Sequence, residues 1–443
     1  MNVRKKTLRT FGAVAGIAVF GLPIAACSSG GGGGGGGDGT TSISYLTQSD
    51  QLSVDAATEL VAAFEKEHPE IDVTIDTQPA GTEGDNLTKT KLSTGEMSDV
   101  FFYNTGSLLQ ALSPDTQLVD LSDQDWVKDV TDDFISTVST DNGIYGGPNG
   151  SSFAGGILYN IKVYEQLGLT VPTSWDEFME NSEKIKAEAP DVAPIIQAYG
   201  DDWTAQIFVL ADFANVMGDD PDWAEKYTAN EVKYSDDPAF AGFQHQQEAF
   251  DAGLFNEDYP SLMNDEAIAM LAEGRGAQYP ILTNIMSALS QNHADNLNDV
   301  GYFPLPADDA DNTQATVWQP NALYIPKTTE GAELEAAKTF IDWVVSSPEA
   351  CEIGKTTGVP GGPFVVSTCE VSDDAPQAVK DLNTYFESGA TAPALEFISP
   401  VKGPSLPNIT ISLGSGITDA KEAAAAYDED VKKQAQQLGL EGW

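Results

Sequence analysis

The segments ISYLT (43–47), IDVTI (71–75) and VFFY (100–103) decide the fold of this chain. Residues 54–68 repeat apolar side chains at helical spacing between the first two segments, and residues 86–94 predict a second helix before the third. A strand–helix–strand–helix–strand order predicts parallel pairing with right-handed crossovers. The sequence therefore predicts an α/β fold.

The alternation of strands and helices continues to the C-terminus. Ser174 is the predicted N-cap of a helix, because Glu177 follows it three residues later. The further predicted strands are 155–159, 193–199, 300–303 and 316–325, with a strand or turn at 278–281, and the further predicted helices are 204–216, 239–252, 266–272, 333–345, 376–387 and 417–438.

Polar residues follow the predicted parallel strands. Gln48 comes directly after the first strand and Asn104 directly after the third. Ligands of open α/β sheets bind beyond the carboxyl ends of the strands. Amide side chains both donate and accept hydrogen bonds, so we expect Gln48 and Asn104 to contact a ligand.

The N-terminus has the layout of an export signal. Four basic residues lead into an apolar run from Phe11 to Ile24, which ends in Ala25-Ala26-Cys27. The run is shorter than the roughly 20 residues of a membrane-spanning helix, which disfavours the alternative of a permanent anchor helix. The sequence around Cys27 resembles the lipobox of bacterial lipoproteins. We predict a signal peptide at 1–26 and, at 27–40, a lipidated Cys27 with a flexible Gly/Ser tether.

Charge and cysteine content restrict the partners and the compartment. The formal net charge is −46, which excludes nucleic acid as a partner and argues against anionic ligands. If Cys27 carries lipid, Cys351 and Cys369 remain as an even pair in an oxidising compartment. We expect a disulfide between them, with two buried free thiols as the alternative.

Patterns for catalysis or metal binding are missing from the sequence. The three histidines have no metal-ligand spacing, and no nucleophile elbow or phosphate-binding loop is present. Among 68 acidic residues some carboxylate pair is inevitable, so such a pair is no evidence for a glycosidase. We expect a protein that is not an enzyme and that needs no cofactor or metal.

Several stretches resemble the bacterial extracellular solute-binding proteins of family 1, the carbohydrate receptors of ABC importers. The resemblance runs from about residue 42 to the C-terminus and departs from the family pattern at Gln278, where the family has Met, and at 281–283, where the family has aromatic residues. The stretches that carry it are Ser98–Phe102, Leu158–Leu169, Val171–Phe178, Glu273–Ala277 and Phe340–Glu349.

The resemblance implies a two-lobed, type II periplasmic-binding-protein-like fold with the ligand cleft between the lobes. Lobe one would comprise 41–147 plus 321–360, and lobe two 148–320 plus 361–443. The chain would cross between the lobes near Tyr145–Asn149, Gln319–Asn321 and Val359–Gly362.

Sugars present hydroxyl groups at the ring edge and apolar C–H faces, so a receptor needs polar side chains and flat aromatic rings. Phe153, Trp203 and Trp318 are the candidate stacking residues, although aromatic residues of an α/β protein also form its core. Asp202 would accept from a sugar hydroxyl or cap a helix at Thr204. The remaining candidates are Glu83, Tyr279, Thr283 and the 397–400 loop.

These expectations describe a monomeric, lipid-anchored receptor on the outer face of the membrane of a Gram-positive bacterium. It would bind an oligosaccharide and deliver it to the permease subunits of an ABC transporter, touching the membrane only through its lipid. The alternatives are a receptor of the same fold for a peptide or polyamine and a secreted glycoside hydrolase.

Overall fold

The computed structural model of the protein describes residues 40–356, 359–372 and 374–443. The predicted signal peptide, the lipidation at Cys27 and the tether up to residue 39 lie outside the described residues. No helix within the described ranges is both long enough and apolar enough to cross a membrane.

The strands are short except for four that reach seven or eight residues. They are β1 (Thr41–Gln48), β2 (Ile71–Gln78), β3 (Val100–Tyr103), β4 (Ser139–Thr140), β5 (Gly143–Ile144), β6 (Gly146–Pro148), β7 (Phe153–Asn160), β8 (Ala193–Ile195), β9 (Gly276–Leu282), β10 (Val300–Phe303), β11 (Ala315–Trp318), β12 (Ala322–Tyr324) and β13 (Thr391–Pro393).

The α-helices lie between the strands and in a C-terminal group. They are α1 (Gln51–Glu67), α2 (Gly81–Thr94), α3 (Ser107–Gln110), α4 (Pro114–Gln117), α5 (Asp132–Thr137), α6 (Ile161–Leu167), α7 (Trp175–Glu188), α8 (Ile207–Ala211), α9 (Phe213–Asp219), α10 (Trp223–Thr228), α11 (Ala241–Asp251), α12 (Asn264–Ala272), α13 (Met286–Asn292), α14 (Gly331–Ser346), α15 (Pro348–Thr356), α16 (Gln377–Ser388), α17 (Leu395–Ile398), α18 (Leu406–Gly414) and α19 (Ala420–Gln437). Single 3-10 turns occupy Asp125–Asp129, Asp202–Gln206, Thr283–Ile285, Ala294–Asp299 and Ala310–Asn312.

A five-stranded sheet with the order β2-β1-β3-β12-β6 forms the centre of the first lobe. β1 pairs in parallel with β2 and β3, which confirms the parallel pairing predicted from the sequence. The β1–β2 register runs from Thr41 opposite Ile71 to Gln48 opposite Gln78. Because these strands are parallel, their carboxyl ends lie at one edge of the sheet.

A six-stranded sheet forms the centre of the second lobe. Its path is β13-β11-β7-β9-β8, and β10 also pairs with β7. Apolar side chains of this sheet and its helices form two large clusters and one small one, whereas one cluster surrounds the first sheet. Two sheets with separate cores confirm the two-lobed α/β fold.

The predicted strand at 316–325 is in fact two strands that belong to different sheets. β11 ends at Trp318 in the second lobe, and β12 begins at Ala322 in the first. Between them lies Pro320, whose missing N–H cannot join a ladder. The predicted helix at 204–216 is likewise divided into a 3-10 turn and two short α-helices, α8 and α9.

A disulfide joins Cys351 on α15 to Cys369, as the sequence predicts. The segment that carries Cys369 packs on the first lobe, since the backbone N–H of Thr131 donates to the carbonyl of Val365 (2.8 Å). Val365 belongs to the first lobe's apolar cluster. This stretch therefore lies with the first lobe, although the predicted boundary at 361 assigns it to lobe two.

Candidate functional site

A cleft of about 520 Å³ lies between the two lobes. Its size falls within the range of about 300–1,000 Å³ that is usual for small-molecule sites. On one side it is lined by residues that follow the parallel strands of the first lobe, and on the other by the end of β11, the 202–210 segment and the 396–407 segment. The topology therefore places the cleft at the carboxyl edge of the first sheet, where ligands of such sheets bind.

The first lobe contributes amide side chains to the cleft. Gln48 and Asn104 both line it, at the ends of β1 and β3, where the sequence predicts them. Gln78, at the end of β2, joins them. The Gln78 Nε2 donates to the Thr88 hydroxyl (2.8 Å), which holds the amide in place.

Aromatic residues of the second lobe line the opposite wall. Phe153 on β7 lies opposite Trp318 on β11 in an antiparallel ladder. Their rings are nearly parallel, with 7° between the planes and 6.4 Å between the centroids. Trp203 lies on the neighbouring 3-10 turn, and the structure brings all three predicted stacking residues to one cleft.

Asp202 lies at the point where the two lobes meet. The Thr82 hydroxyl, at the start of α2 in the first lobe, donates to Asp202 Oδ2 (3.3 Å). The predicted capping role is not the contact observed, because the Thr204 hydroxyl donates to the carbonyl oxygens of Ala198 and Asp201 instead. Asp202 lines the cleft and also joins one lobe to the other.

A second interlobe contact involves Gly106 of the first lobe. A Cβ at this position would lie 2.4 Å from the Glu396 carbonyl oxygen and 2.7 Å from the ring of Phe397. The backbone of Gly106 therefore packs directly against the second lobe. Phe397 and Pro400 of the predicted 397–400 loop line the cleft at this point.

Three residues that the sequence predicts to contact the ligand do not line the cleft. Tyr279 is fully buried in the second lobe, where its hydroxyl donates to Asn264 Oδ1 (2.9 Å). Thr283 is also buried, and its hydroxyl donates to the Gly361 carbonyl and accepts from the Ala154 N–H. Glu83 is exposed in the first turn of α2.

Charged residues that the sequence pattern does not reveal also line the cleft. They are Asp85 and Lys89 on α2 and Glu396 and Lys402 in the second lobe. Burial raises the pKa of the Asp85 carboxyl, and the neighbouring Tyr103 hydroxyl and the positive charges of Lys89 and Lys402 partly offset this rise. The i,i+4 spacing of Asp85 and Lys89 is a weak signal, since such pairs occur on many exposed helices.

Several buried polar atoms in the cleft wall have no protein partner. Within the part of the chain that the structure describes, the side-chain oxygens of Gln78, Ser107, Gln206 and Gln319 are buried without a hydrogen bond, and all four residues line the cleft. Buried polar groups are normally satisfied. These four oxygens are therefore candidate hydrogen-bond partners for ligand hydroxyls or water.

The donor set of the cleft suits a hydroxyl-rich ligand better than a metal. Amide, hydroxyl and indole groups dominate the residues described above. Among the described residues, no group of three or more His, Cys, Asp or Glu side chains could hold a metal ion.

Comparison with known proteins agrees with this geometry. Residues 50–350, more than half of the chain, match the family described as bacterial extracellular solute-binding protein. The multiple sugar-binding protein of Streptococcus mutans is 23% identical over 377 residues, which cover 84% of this chain and 86% of that protein.

Solved structures with the same fold include a chitin oligosaccharide binding protein (TM-score 0.78, 20% identity) and the solute-binding protein RafE in complex with raffinose (TM-score 0.74, 20% identity). Each covers 90% of this chain and is itself covered completely. The relatives and the family are binding proteins rather than enzymes. This chain belongs to the family of bacterial extracellular solute-binding proteins.

Proposed function

We propose that this protein captures a short oligosaccharide in the interlobe cleft and delivers it to the permease subunits of an ABC transporter. Family membership and the sugar-binding relatives support a carbohydrate over a peptide or polyamine. The bound sugar is transferred intact, since the proposed role requires no bond to be made or broken.

One observation carries the proposal: a single cleft combines strand-end amides of one lobe with aromatic rings of the other. Gln48 and Asn104 supply donors and acceptors for hydroxyl groups. Trp203, Trp318 and Phe153 supply flat apolar surfaces for C–H faces. These two kinds of surface match the two kinds of surface on a pyranose ring.

The proposed capture mechanism is closure of the lobes on the ligand. A ligand that touches both walls gains its full set of contacts only when the lobes are together, so it shifts the population towards the closed state. We propose the segments near Tyr145–Asn149 and Gln319–Asn321 as the hinge. Two changes of sheet along the chain support this. β6 lies in the first sheet and the next strand, β7, in the second, whereas β11 lies in the second sheet and the next strand, β12, in the first.

We further propose export and lipid anchoring through Cys27, which would hold the receptor as a monomer on the extracellular face of a Gram-positive cell membrane. The basic, apolar and small-residue pattern before Cys27 supports this step. Expression of a Cys27→Ala variant in a bacterial host tests it. The parent should incorporate labelled palmitate and the variant should not, and labelling of both would contradict the assignment.

A glycan panel tests the proposed function. Neutral oligosaccharides, small peptides and polyamines are added separately, and the unfolding midpoint is followed, because a ligand that binds the folded state raises it. We expect a rise with at least one oligosaccharide and none with peptides or polyamines. Calorimetry then measures the affinity, and chromatography of the recovered sugar should show it uncleaved. Binding of a polyamine alone, or appearance of cleavage products, would refute the proposal.

A further inference from the structure

We propose that Glu396 is a positioning residue of the cleft. Its carboxylate holds the Trp318 indole and the Lys402 ammonium side by side, so that one sugar ring meets a flat apolar face and a charged donor together. This inference rests on the proposed function and adds a preference for neutral over acidic sugars. Sequence patterns gave no indication of it.

The contacts of Glu396 are short and use both carboxylate oxygens. The Trp318 Nε1 donates to Glu396 Oε1 (3.0 Å), and the Lys402 Nζ donates to Glu396 Oε2 (2.7 Å). The side chains of Glu396 and Lys402 are only 10% and 16% exposed. Each oxygen therefore has a donor of its own, and the ion pair is largely withdrawn from water.

Strand pairing brings these residues together. β13 pairs in parallel with β11, with Pro393 opposite Val317. The Ala394 N–H then donates to the Val317 carbonyl (2.9 Å), and α17 starts at the next residue. Glu396 is thus fixed beside Trp318 by main-chain hydrogen bonds of the second sheet.

Burying an ion pair costs more free energy than is needed to satisfy an indole N–H. Removing two charges from water costs several kcal/mol per ion before their attraction offsets it, and a backbone carbonyl would satisfy the indole as well. Unlike a carbonyl, the ion pair also brings a charged donor group to the cleft wall. Lys402 has three N–H donors and gives one to Glu396, so further donors remain at the cleft wall, where charge-assisted bonds are strong.

The charges around Lys402 favour a neutral ligand. Glu396 already compensates the ammonium, and Asp85 of the facing lobe interacts electrostatically with Lys402 across the cleft. A sugar hydroxyl can accept from Lys402, whereas a sugar carboxylate would meet the carboxylates of Asp85, Glu396 and Asp202, which all line the cleft. Like charges close together raise the free energy of the complex.

The experiment compares four variants with the parent. Glu396→Ala removes both contacts of the carboxylate, Glu396→Gln keeps an oxygen acceptor for the indole, and Lys402→Met removes only the cation. Lys226→Met is the matched control, because Lys226 forms an ion pair of similar length with Asp220 (2.6 Å) in the second lobe and does not line the cleft.

Calorimetry uses two neutral sugars, raffinose and the panel sugar that binds the parent most tightly. Trigalacturonic acid is the acidic probe. We expect Glu396→Ala and Lys402→Met to weaken binding of the neutral sugar by about tenfold or more, as for loss of a charge-assisted hydrogen bond. Glu396→Gln should lose less than Glu396→Ala, and Lys226→Met should bind like the parent. Trigalacturonic acid should bind the parent at least tenfold more weakly than the neutral sugar.

Tryptophan emission provides a readout that needs no ligand. Glu396→Ala should shift the emission of the free protein, Glu396→Gln should shift it less, and neither should shift it in a Trp318→Phe background. If no glycan binds the parent, the proposed function fails while the emission still decides whether Glu396 holds the indole. Parent-like affinity and emission in Glu396→Ala, or equal loss in Glu396→Gln and Glu396→Ala, would overturn the inference.

Discussion

The contact between Thr82 and Asp202 should contribute to ligand affinity through closure of the lobes. Thr82 belongs to α2 of the first lobe and Asp202 to the second, and the hydroxyl donates to the carboxylate across 3.3 Å. This contact exists only when the lobes are together. Replacing Thr82 by Val or Asp202 by Ala should therefore destabilise the closed state relative to the open one.

The size of the effect follows from the exposure of the contact. A long hydrogen bond between groups open to solvent lies at the low end of the usual net contribution, about 0.5–1 kcal/mol. Asp202 also lies at the start of α2, where no side chain caps the helix and where its Oδ1 is 3.4 Å from the position of a Cβ on Gly81. A carboxylate at a helix N-terminus adds about 0.3–1 kcal/mol. Together these estimates, about 0.8–2 kcal/mol, predict an affinity loss of about four- to thirtyfold for Asp202→Ala.

A double-mutant cycle separates the interlobe contact from any direct contact of either residue with the ligand. Calorimetry with one neutral oligosaccharide is performed on the parent, Thr82→Val, Asp202→Ala and the double variant. We expect the double variant to bind almost as well as Asp202→Ala alone, because Ala leaves no acceptor for the Thr82 hydroxyl and the second change then removes nothing further. Thr90→Val is the control on the same helix, since the Thr90 hydroxyl donates only to its own helix backbone at Asn86. Strictly additive losses would refute the reasoning.

The other predictions concern stability and the two walls of the cleft. Replacing Cys351 and Cys369 by Ser should reduce the free energy of unfolding by about 3 kcal/mol, because the cross-link over a separation of 18 residues no longer restrains the unfolded chain; an unchanged denaturation midpoint would contradict this. Trp203→Ala should weaken sugar binding by about tenfold, from loss of aromatic contact, without lowering the unfolding midpoint by more than a few degrees, and unchanged affinity in calorimetry would remove Trp203 from the site. Burial raises the pKa of Asp85 in the folded state, so the folded protein takes up this proton more readily than the unfolded chain and the carboxyl opposes folding as pH rises. Asp85→Asn should therefore raise the unfolding midpoint at neutral pH more than at mildly acidic pH. Equal shifts at both pH values would contradict the raised pKa of Asp85.

The departure from the family pattern at Gln278 has a structural explanation. Gln278 is buried in β9, where its Oε1 accepts from the Tyr164 hydroxyl (2.6 Å) and its Nε2 donates to the Ser182 hydroxyl (2.8 Å). A buried amide is tolerated when both ends are paired. The polar residue therefore belongs to the core of the second lobe and carries no information about the ligand.

Local patterns in the sequence determine the fold class and part of the first wall of the cleft. The spacing of apolar residues predicts β1, α1, β2 and β3, and parallel pairing then follows because each strand is separated from the next by a helix. Once the pairing is known, residues such as Gln48 and Asn104 must lie at one edge. These inferences need only neighbours in the chain.

The second wall depends on contacts between residues far apart in the chain. Trp318 and Tyr279 both lie on strands of the second sheet. Trp318 nevertheless lines the cleft, whereas Tyr279 is enclosed in the core. Glu396 approaches Trp318 because β13 pairs with β11, and nothing near either residue predicts that pairing. Burial and proximity of this kind arise only when the sheets and helices pack, which is why the tertiary structure alone distinguishes a cleft residue from a core residue.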